Sequence, residues 1–417
     1  MRLGSALAIV ALLGSACSSS GGKLGEQPSW RTSGKAKTKE LGPIVFAPSR
    51  PAVAAYNATK IPKVKPTELA DAISVASSEV AAKLGKPIPA IDPRLSAAAA
   101  ELASIAPADA QLAYPLIEFA MQRYGIIEPS PHIIVIWGER DQKPSEVVNS
   151  LRERLPEILE PPTVPHTRLG VGVAKRGDDE SCIVVAFQSS YIETAPIPRA
   201  VRPGGMITVD GVIKAPYSDP QVFVTREDGA VERPPVTRDD RSGGFKTNMS
   251  CGRHRGRQQI EITAIDASGS TVLANFPVWC GETPPARIVH RASIDETAPI
   301  KTEEQGAQRM LRLLNIDRKK HGLAPLGLDA RLSQVARKHS LEMKVTGRVA
   351  HVSPVTGSAA DRVDKAGIRT SVVLENVARA YGIAQAQAGL MNSPGHRSNI
   401  LAREASHVGI GVVFGQE

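Results

Sequence analysis

Aromatic residues make up only 4% of this 417-residue chain, so its cores must be built mainly from aliphatic side chains. Four cysteines are too few for a disulfide scaffold. Beyond the first apolar segment no run is long enough to cross a bilayer. The net charge is +9, yet no concentrated basic stripe accompanies it. That excludes a nucleic-acid footprint and leaves contact with anionic envelope polymers. The densest basic cluster, "GRHRGRQQ" from Gly252, follows a cysteine in a turn and reads as a solvated loop. There is no His-Glu-x-x-His pair of zinc ligands, and no Ser-His-Asp constellation declares itself. What is present is a chain too long for one core, rich in alanine, glycine and proline, and therefore divided into several domains.

The amino terminus reads as an export signal over residues 1–17. Arg2 is the charged residue, "LGSALAIVALLG" the apolar segment and "GSAC" a small-residue cleavage site ending at Cys17. A cysteine at that point, followed by "SSSGGK", resembles a bacterial lipoprotein signal, which implies a lipid on the Cys17 thiol and a membrane as partner. Plain secretion is the alternative. Residues 18–66, rich in Ser, Gly, Lys and Pro, read as a flexible tether. Export permits a disulfide, and Cys251 with Cys280 brackets a series of strand-like segments, which favours that pair. Closing such a loop stabilises by about 3 to 4 kcal/mol on the chain-entropy argument. Cys182 opens "CIVVAF" and reads as a small buried residue.

The overall fold class is α+β. Helical periodicity in "TELADAISVASSEVAAKLG", "DPRLSAAAAELASIA" and "PSEVVNSLRERLPEIL", with strand patterns in "HIIVIWG" and "LGVGVAKRGDDESCIVVAF", predicts an α+β domain over 67–194. Short β-rich runs separated by Asp-Gly, Gly-Gly and Ser-Gly turns follow and predict an Ig-like β-sandwich over 196–281. After the Pro-rich hinge "ETPPAR", helices return in a second α+β unit over 288–417.

In that last unit "LLNIDRKKHGLAPLGLDARLSQVARKHSLEM", "AHVSP", "DRVDKAGI", "LENVA", "NSPGHRSNIL" and "VGIGV" occur in the order and near the spacing of bacterial CAP domains. The unit therefore resembles the superfamily of cysteine-rich secretory proteins, venom antigens and plant pathogenesis-related proteins. The resemblance implies a three-layer α-β-α sandwich with a cleft in which His351, Glu375 and His396 face one another and hold a divalent metal, Zn²⁺ fitting two imidazoles and a carboxylate. His339 matches the family too, on a packed helix, and reads as structural. Ser353 and Ser393, beside the two cleft histidines, read as turn or cap residues. Animal members have a second cleft glutamate for which the unit shows no counterpart. Relatives also continue past "VGIGVVFGQE" into one more strand, so either the sheet lacks that strand or another segment supplies it.

An internal echo supports a duplication. "GKPIPAIDPRLS" from Gly85 aligns without gaps on "GLAPLGLDARLS" from Gly322, and "LGVGVA" falls where "VGIGVV" falls. The first α+β unit is thus expected to be a diverged CAP-like copy, with Glu139 opposite Glu375 but Arg154 opposite His396, and so without the histidine pair. Three functions follow as expectations. The first is a tethered, non-catalytic module binding a lipid, glycan or protein at the cell envelope or outside the cell. The second is a metal-dependent, peptidase-like hydrolase using the same cleft. The third is an architectural envelope protein.

Overall fold

A computed structural model describes residues 5–14, there for the backbone alone, and 42–415 apart from 49, 59–66, 109–110, 161–164, 240, 253–254, 294–295 and 297. Cys17 lies outside the described residues.

The first α+β unit is a three-layer sandwich. Its sheet runs in the order Ala90–Ile91, Arg168–Arg176, Glu180–Gln188, His132–Glu139. Helices Pro93–Ile105 and Tyr114–Arg123 cover one face through Leu95, Leu102 and Leu116 against Val184 and Ala186. Helices Glu68–Lys83 and Pro144–Leu159 cover the other through Ile73, Leu151 and Leu155 against Val171 and Val185. Local chemistry sets the starts: the Thr67 side chain accepts from the amide of Ala70, and Asp92 accepts from those of Arg94 and Leu95 ahead of Pro93.

The carboxyl-terminal unit repeats this plan in detail. Gly327–Leu328 pairs in parallel with Ala405–Gly415, as Ala90–Ile91 pairs with Arg168–Arg176. The amide of Asp329 donates to the carbonyl of Val408 at 2.9 Å, and that of Asp92 to Leu169 at 2.8 Å. Ser333 Oγ accepts from the amide of Ile410 at 3.2 Å, and Ser96 Oγ from Val171 at 3.3 Å. The shared Gly-x-Gly has a steric cause. A Cβ on Gly172 would lie 2.0 Å from the nitrogen of Ala100, and one on Gly411 2.2 Å from that of Arg337. In both units a helix rests directly on the sheet backbone at this point, and only glycine leaves room.

One strand differs. In the first unit the position beside Arg168–Arg176 is filled by its antiparallel hairpin partner Glu180–Gln188. In the carboxyl-terminal unit it is filled by Ser5–Gly14, parallel to both Val373–Ala380 and Ala405–Gly415. This internal position of the sheet is thus taken by a segment from the far end of the chain. The residues in this position are the ones that read as the apolar core of an export signal.

The middle unit packs two sheets over one core that includes Ile207, Val224, Phe245, Ile262 and Phe276. One sheet runs Ala200–Val201, Gly269–Cys280, Gly256–Asp266, Ser218–Thr225, Val231–Glu232 and the other Thr237–Asp239, Gly244–Ser250, Met206–Ile213, Ile192–Thr194. A Cys251–Cys280 disulfide joins the two sheets, and Cys182 is buried and unbridged. Strand Ile192–Thr194 belongs to this unit, which thus begins before residue 196.

The tether needs a larger correction. Ile44–Phe46 pairs with Ile288–His290, and Ala55–Tyr56 with Ile197–Pro198. Phe46 and Tyr56 are fully buried, and the Tyr56 hydroxyl donates to the carbonyl of Pro277 at 2.7 Å. Two aromatic anchors thus pack much of 42–58 against the folded units.

Candidate ligand-binding cleft

Three local structures carry the cleft residues. His351 follows helix Ala330–Thr346, which ends at Gly347 with φ 68°. His339 on that helix is buried, and its Nε2 lies 2.8 Å from the carbonyl oxygen of Ala350, which fixes the path into His351. Glu342 accepts from the hydroxyls of Ser353 and Thr356, and Ser353 in turn accepts from the amides of Val355 and Thr356, folding the turn beyond. Glu375 sits in strand Val373–Ala380. His396 lies in the short helix Pro394–Ile400, N-capped by Ser393, with proline in its first turn.

The fold brings all three together. The rings of His351 and His396 stack with centroids 6.3 Å apart and planes 26° from parallel. His351 Nδ1 lies 2.9 Å from Glu375 Oε2, and the other Glu375 oxygen accepts from the Arg362 guanidinium. Arg362 also donates to the carbonyls of His351 and Gly357. Burial pushes the Glu375 carboxyl up, but the hydrogen bond from His351 and the charge of Arg362 outweigh it and hold the group below the usual carboxylate range. Asn399 donates to the carbonyl of Glu375 and to the side chain of Asn376, which itself donates to the carbonyl of His396 at 3.0 Å. These amides tie the strand to the short helix.

The hydrogen bonds assign both imidazoles. Glu375 is a carboxylate, so His351 carries its proton on Nδ1. His396 Nδ1 lies 2.6 Å from Ser393 Oγ, whose hydroxyl donates to a carboxylate oxygen of Glu261. Burial raises the Glu261 carboxyl to about 7; where it is ionised, Ser393 spends its proton on it and accepts that of His396 Nδ1. Among the described residues neither ring has a hydrogen-bond partner at Nε2. Burial and the nearby His351 pull His396 down to about 4, so it is neutral at physiological pH.

This bears on the expected metal set. Among the described residues no three His, Cys, Asp or Glu side chains are arranged to hold a metal ion. Glu375, with both oxygens engaged, stands behind His351 as an orienting group. Each imidazole is backed at Nδ1, His351 by Glu375 and His396 by Ser393.

Glu261, on strand Gly256–Asp266 of the middle unit, is the functional residue that sequence reasoning missed. In "QIEIT" it alternates with two core isoleucines and reads as solvent-facing, but the carboxyl-terminal unit covers that face and leaves it no exposure. In the first unit Glu139 is exposed at a strand end opposite Glu180; the other end of that strand begins with His132, whose ring lies 6.5 Å from that of His166 between centroids. His321 and His407 lie outside the cleft, with partners in Asp317, Arg397 and Ser406.

Comparison with known proteins agrees with the carboxyl-terminal fold. The chain is 37% identical over 107 residues to the uncharacterized protein YkwD of Bacillus subtilis (strain 168), which covers 25% of this chain and 42% of that one. It is 33% identical over 136 residues to the uncharacterized membrane protein YlbC of the same organism, covering 31% and 39% respectively. The chain thus spans about two fifths of each of these relatives. A solved extracellular protein containing an SCP domain, from Bacillus anthracis str. Ames, matches at 17% identity over 63% of this chain and 88% of that one, with a TM-score of 0.26. The cysteine-rich secretory protein family (CAP) model matches residues 311–417, and that segment of the chain is a CAP domain.

Proposed function

We propose that this is an exported protein whose CAP domain works as a non-catalytic binding module, at the cell envelope or outside the cell, with the His351/His396 cleft as its ligand site. The observation that carries this reading is the pair of imidazoles whose Nδ1 atoms are pinned, that of His351 by Glu375 and that of His396 by Ser393, while among the described residues neither Nε2 has a hydrogen-bond partner. Such a pair accepts hydrogen bonds from a ligand or binds a divalent cation such as Zn²⁺, which when bound would supply a positive centre for an anionic or carbonyl-bearing ligand.

The neighbouring carboxylates argue against catalysis. Glu375 is committed to His351 and Arg362, Glu342 to Ser353 and Thr356, and Glu261 to Ser393 and the amide of Gly395. None is placed as a general base beside the Nε2 pair. Ser393, His396 and Glu261 do form a chain, but the serine lies between the acid and the imidazole. That order cannot activate the serine as a nucleophile, which needs the histidine in the middle.

Export and a lipid on Cys17 belong to the same reading, supported by the charged, apolar and small-residue segments in succession. No helix among the described residues is long and apolar enough to cross a membrane. Cleavage before Cys17 would remove Ser5–Gly14 from the sheet, so strand and signal are alternative fates of one segment.

The test is a calorimetric titration of Zn²⁺ into the full chain, wild type and His351→Ala/His396→Ala, with a peptide-turnover assay alongside. Uptake in the wild type alone, without turnover, is expected. Equal uptake by both proteins, or turnover that needs the two histidines, would overturn the proposal.

A further inference from the structure

We infer that the middle unit is a working part of the CAP cleft: its long hairpin clasps both histidine loops, and Glu261 sets the tautomer of His396 through Ser393. This rests on the reading of His351 and His396 as the ligand site.

The hairpin of Gly256–Asp266 and Gly269–Cys280 lies along the carboxyl-terminal unit and meets it at three levels. At its tip the carbonyl of Ser268 accepts from the amides of His351 and Val352, both at 3.0 Å. The backbone of Gly269 is so close that a Cβ there would stand 3.1 Å from that of His351. Midway, Glu261 accepts from the amide of Gly395 at 2.9 Å with one oxygen and from the Ser393 hydroxyl with the other. Directly opposite Glu261, Asn275 donates to the Asn392 carbonyl at 3.3 Å, and at the base of the hairpin Arg257 donates to the Asn392 side chain at 2.9 Å. One rigid two-stranded element thus holds both the loop of His351 and the turn of His396. The spacing of the two rings is set from outside the CAP domain as well as from within.

The middle level also carries proton direction. Ser393 has one hydroxyl proton and two claimants, Glu261 and His396 Nδ1. Once ionised, above the value of about 7 to which burial raises it, Glu261 can only accept, so the proton goes to it and Oγ is left to receive the proton of His396 Nδ1. The outcome is a bare Nε2 on His396. A glutamine at 261 has the same shape but opposite logic at one atom. Its oxygen still serves Gly395, while its amide N–H donates to Ser393 Oγ. The hydroxyl proton then turns to His396 Nδ1, and the imidazole proton must sit on Nε2. The cleft loses one of its two acceptors with no change in packing. Glu261 and Glu375 thus perform parallel tasks on the two imidazoles, one from each domain.

The experiment uses the full chain labelled with ¹⁵N-histidine, wild type, Glu261→Gln and Ser393→Ala, at pH 8, above the value of about 7 to which burial raises Glu261. Long-range ¹H–¹⁵N correlation spectra report the tautomer of each ring, and Zn²⁺ titration reports affinity. In wild type both His351 and His396 should be protonated on Nδ1. In Glu261→Gln His396 should switch to Nε2–H with His351 unchanged, and Zn²⁺ affinity should fall by about 10- to 100-fold, the usual loss on removing an orienting partner of a ligand. Ser393→Ala should release the Nδ1–H preference of His396 in the same way and serves if Glu261→Gln fails to fold. His396 remaining Nδ1–H in both folded variants would overturn the inference. The tautomer readout decides it even if the wild type takes up no zinc, a result that would instead sink the cation-binding reading.

Discussion

Replacing Glu375 by alanine tests the electrostatic frame of the cleft. Glu375 and Arg362 face each other with side chains only 6% exposed each. Removing one member of a buried ion pair leaves the other charge uncompensated in a poorly screened site, which costs about 3 to 5 kcal/mol. In Glu375→Ala the guanidinium keeps the carbonyls of His351 and Gly357 as acceptors, so the loss should fall near the lower end, about 3 kcal/mol. The sign of the pH dependence follows from the carboxyl. Its folded value lies below the ordinary 4.5, so above about pH 4.5 the ionised group contributes in full, and the contribution is lost as pH falls through the folded value. The assay is native-state hydrogen exchange of the Val373–Ala380 amides, which reads local stability directly. At pH 7 Glu375→Ala should exchange about 100-fold faster or more, by the 1.4 kcal/mol per tenfold relation. The double variant Glu375→Ala/Arg362→Met should lose clearly less than the sum of the singles. Effects below about 0.5 kcal/mol that simply add would mean that the pair is screened like a surface bridge, and the reasoning would fail.

Gly411→Ala should destabilise the carboxyl-terminal unit by at least about 1 to 3 kcal/mol, because the new methyl meets backbone at 2.2 Å; chemical denaturation checks this, and Gly172→Ala should do the same to the first unit. A fatty-acid label should enter the wild-type protein in a lipoprotein-processing host and be absent from Cys17→Ser, as read by labelling and intact mass. The processed protein, having lost Ser5–Gly14, should exchange the amides of Val373–Ala380 faster than the unprocessed chain does; equal protection would show that this strand does not support the sheet.

The carboxyl-terminal fold was legible because its signals are local and dense: cap residues such as Asp329, the Gly-x-Gly before which a helix must come close, and histidines held at turns. The same signals in weakened form at Asp92 and Gly172 gave the expectation of a diverged copy, and the two units share matching hydrogen bonds at two points, the amides of Asp329 and Asp92 and the hydroxyls of Ser333 and Ser96. Glu261 was not legible. Strand alternation tells which residues oppose the core, not whether a second domain covers the other face. Ser5–Gly14 was ambiguous because a ten-residue apolar run suits a signal segment and a strand alike. The expected tether misled because composition averages over residues, and two aromatics, Phe46 and Tyr56, outweigh the polar residues around them. For Glu375 the residue was read but not its partner: Arg362 stood in the quoted "DRVDKAGI", and only the fold shows that it occupies the oxygen a metal would have needed.

The central claim is that two bare Nε2 atoms form the ligand site while Glu375 only orients. A crystal of the full chain soaked in Zn²⁺ and measured at the zinc absorption edge tests it most directly. The account predicts an anomalous peak bound by Nε2 of both His351 and His396, with Glu375 still on His351 Nδ1. A peak elsewhere, no peak in the cleft, or Glu375 swung away from His351 into the coordination sphere would contradict it.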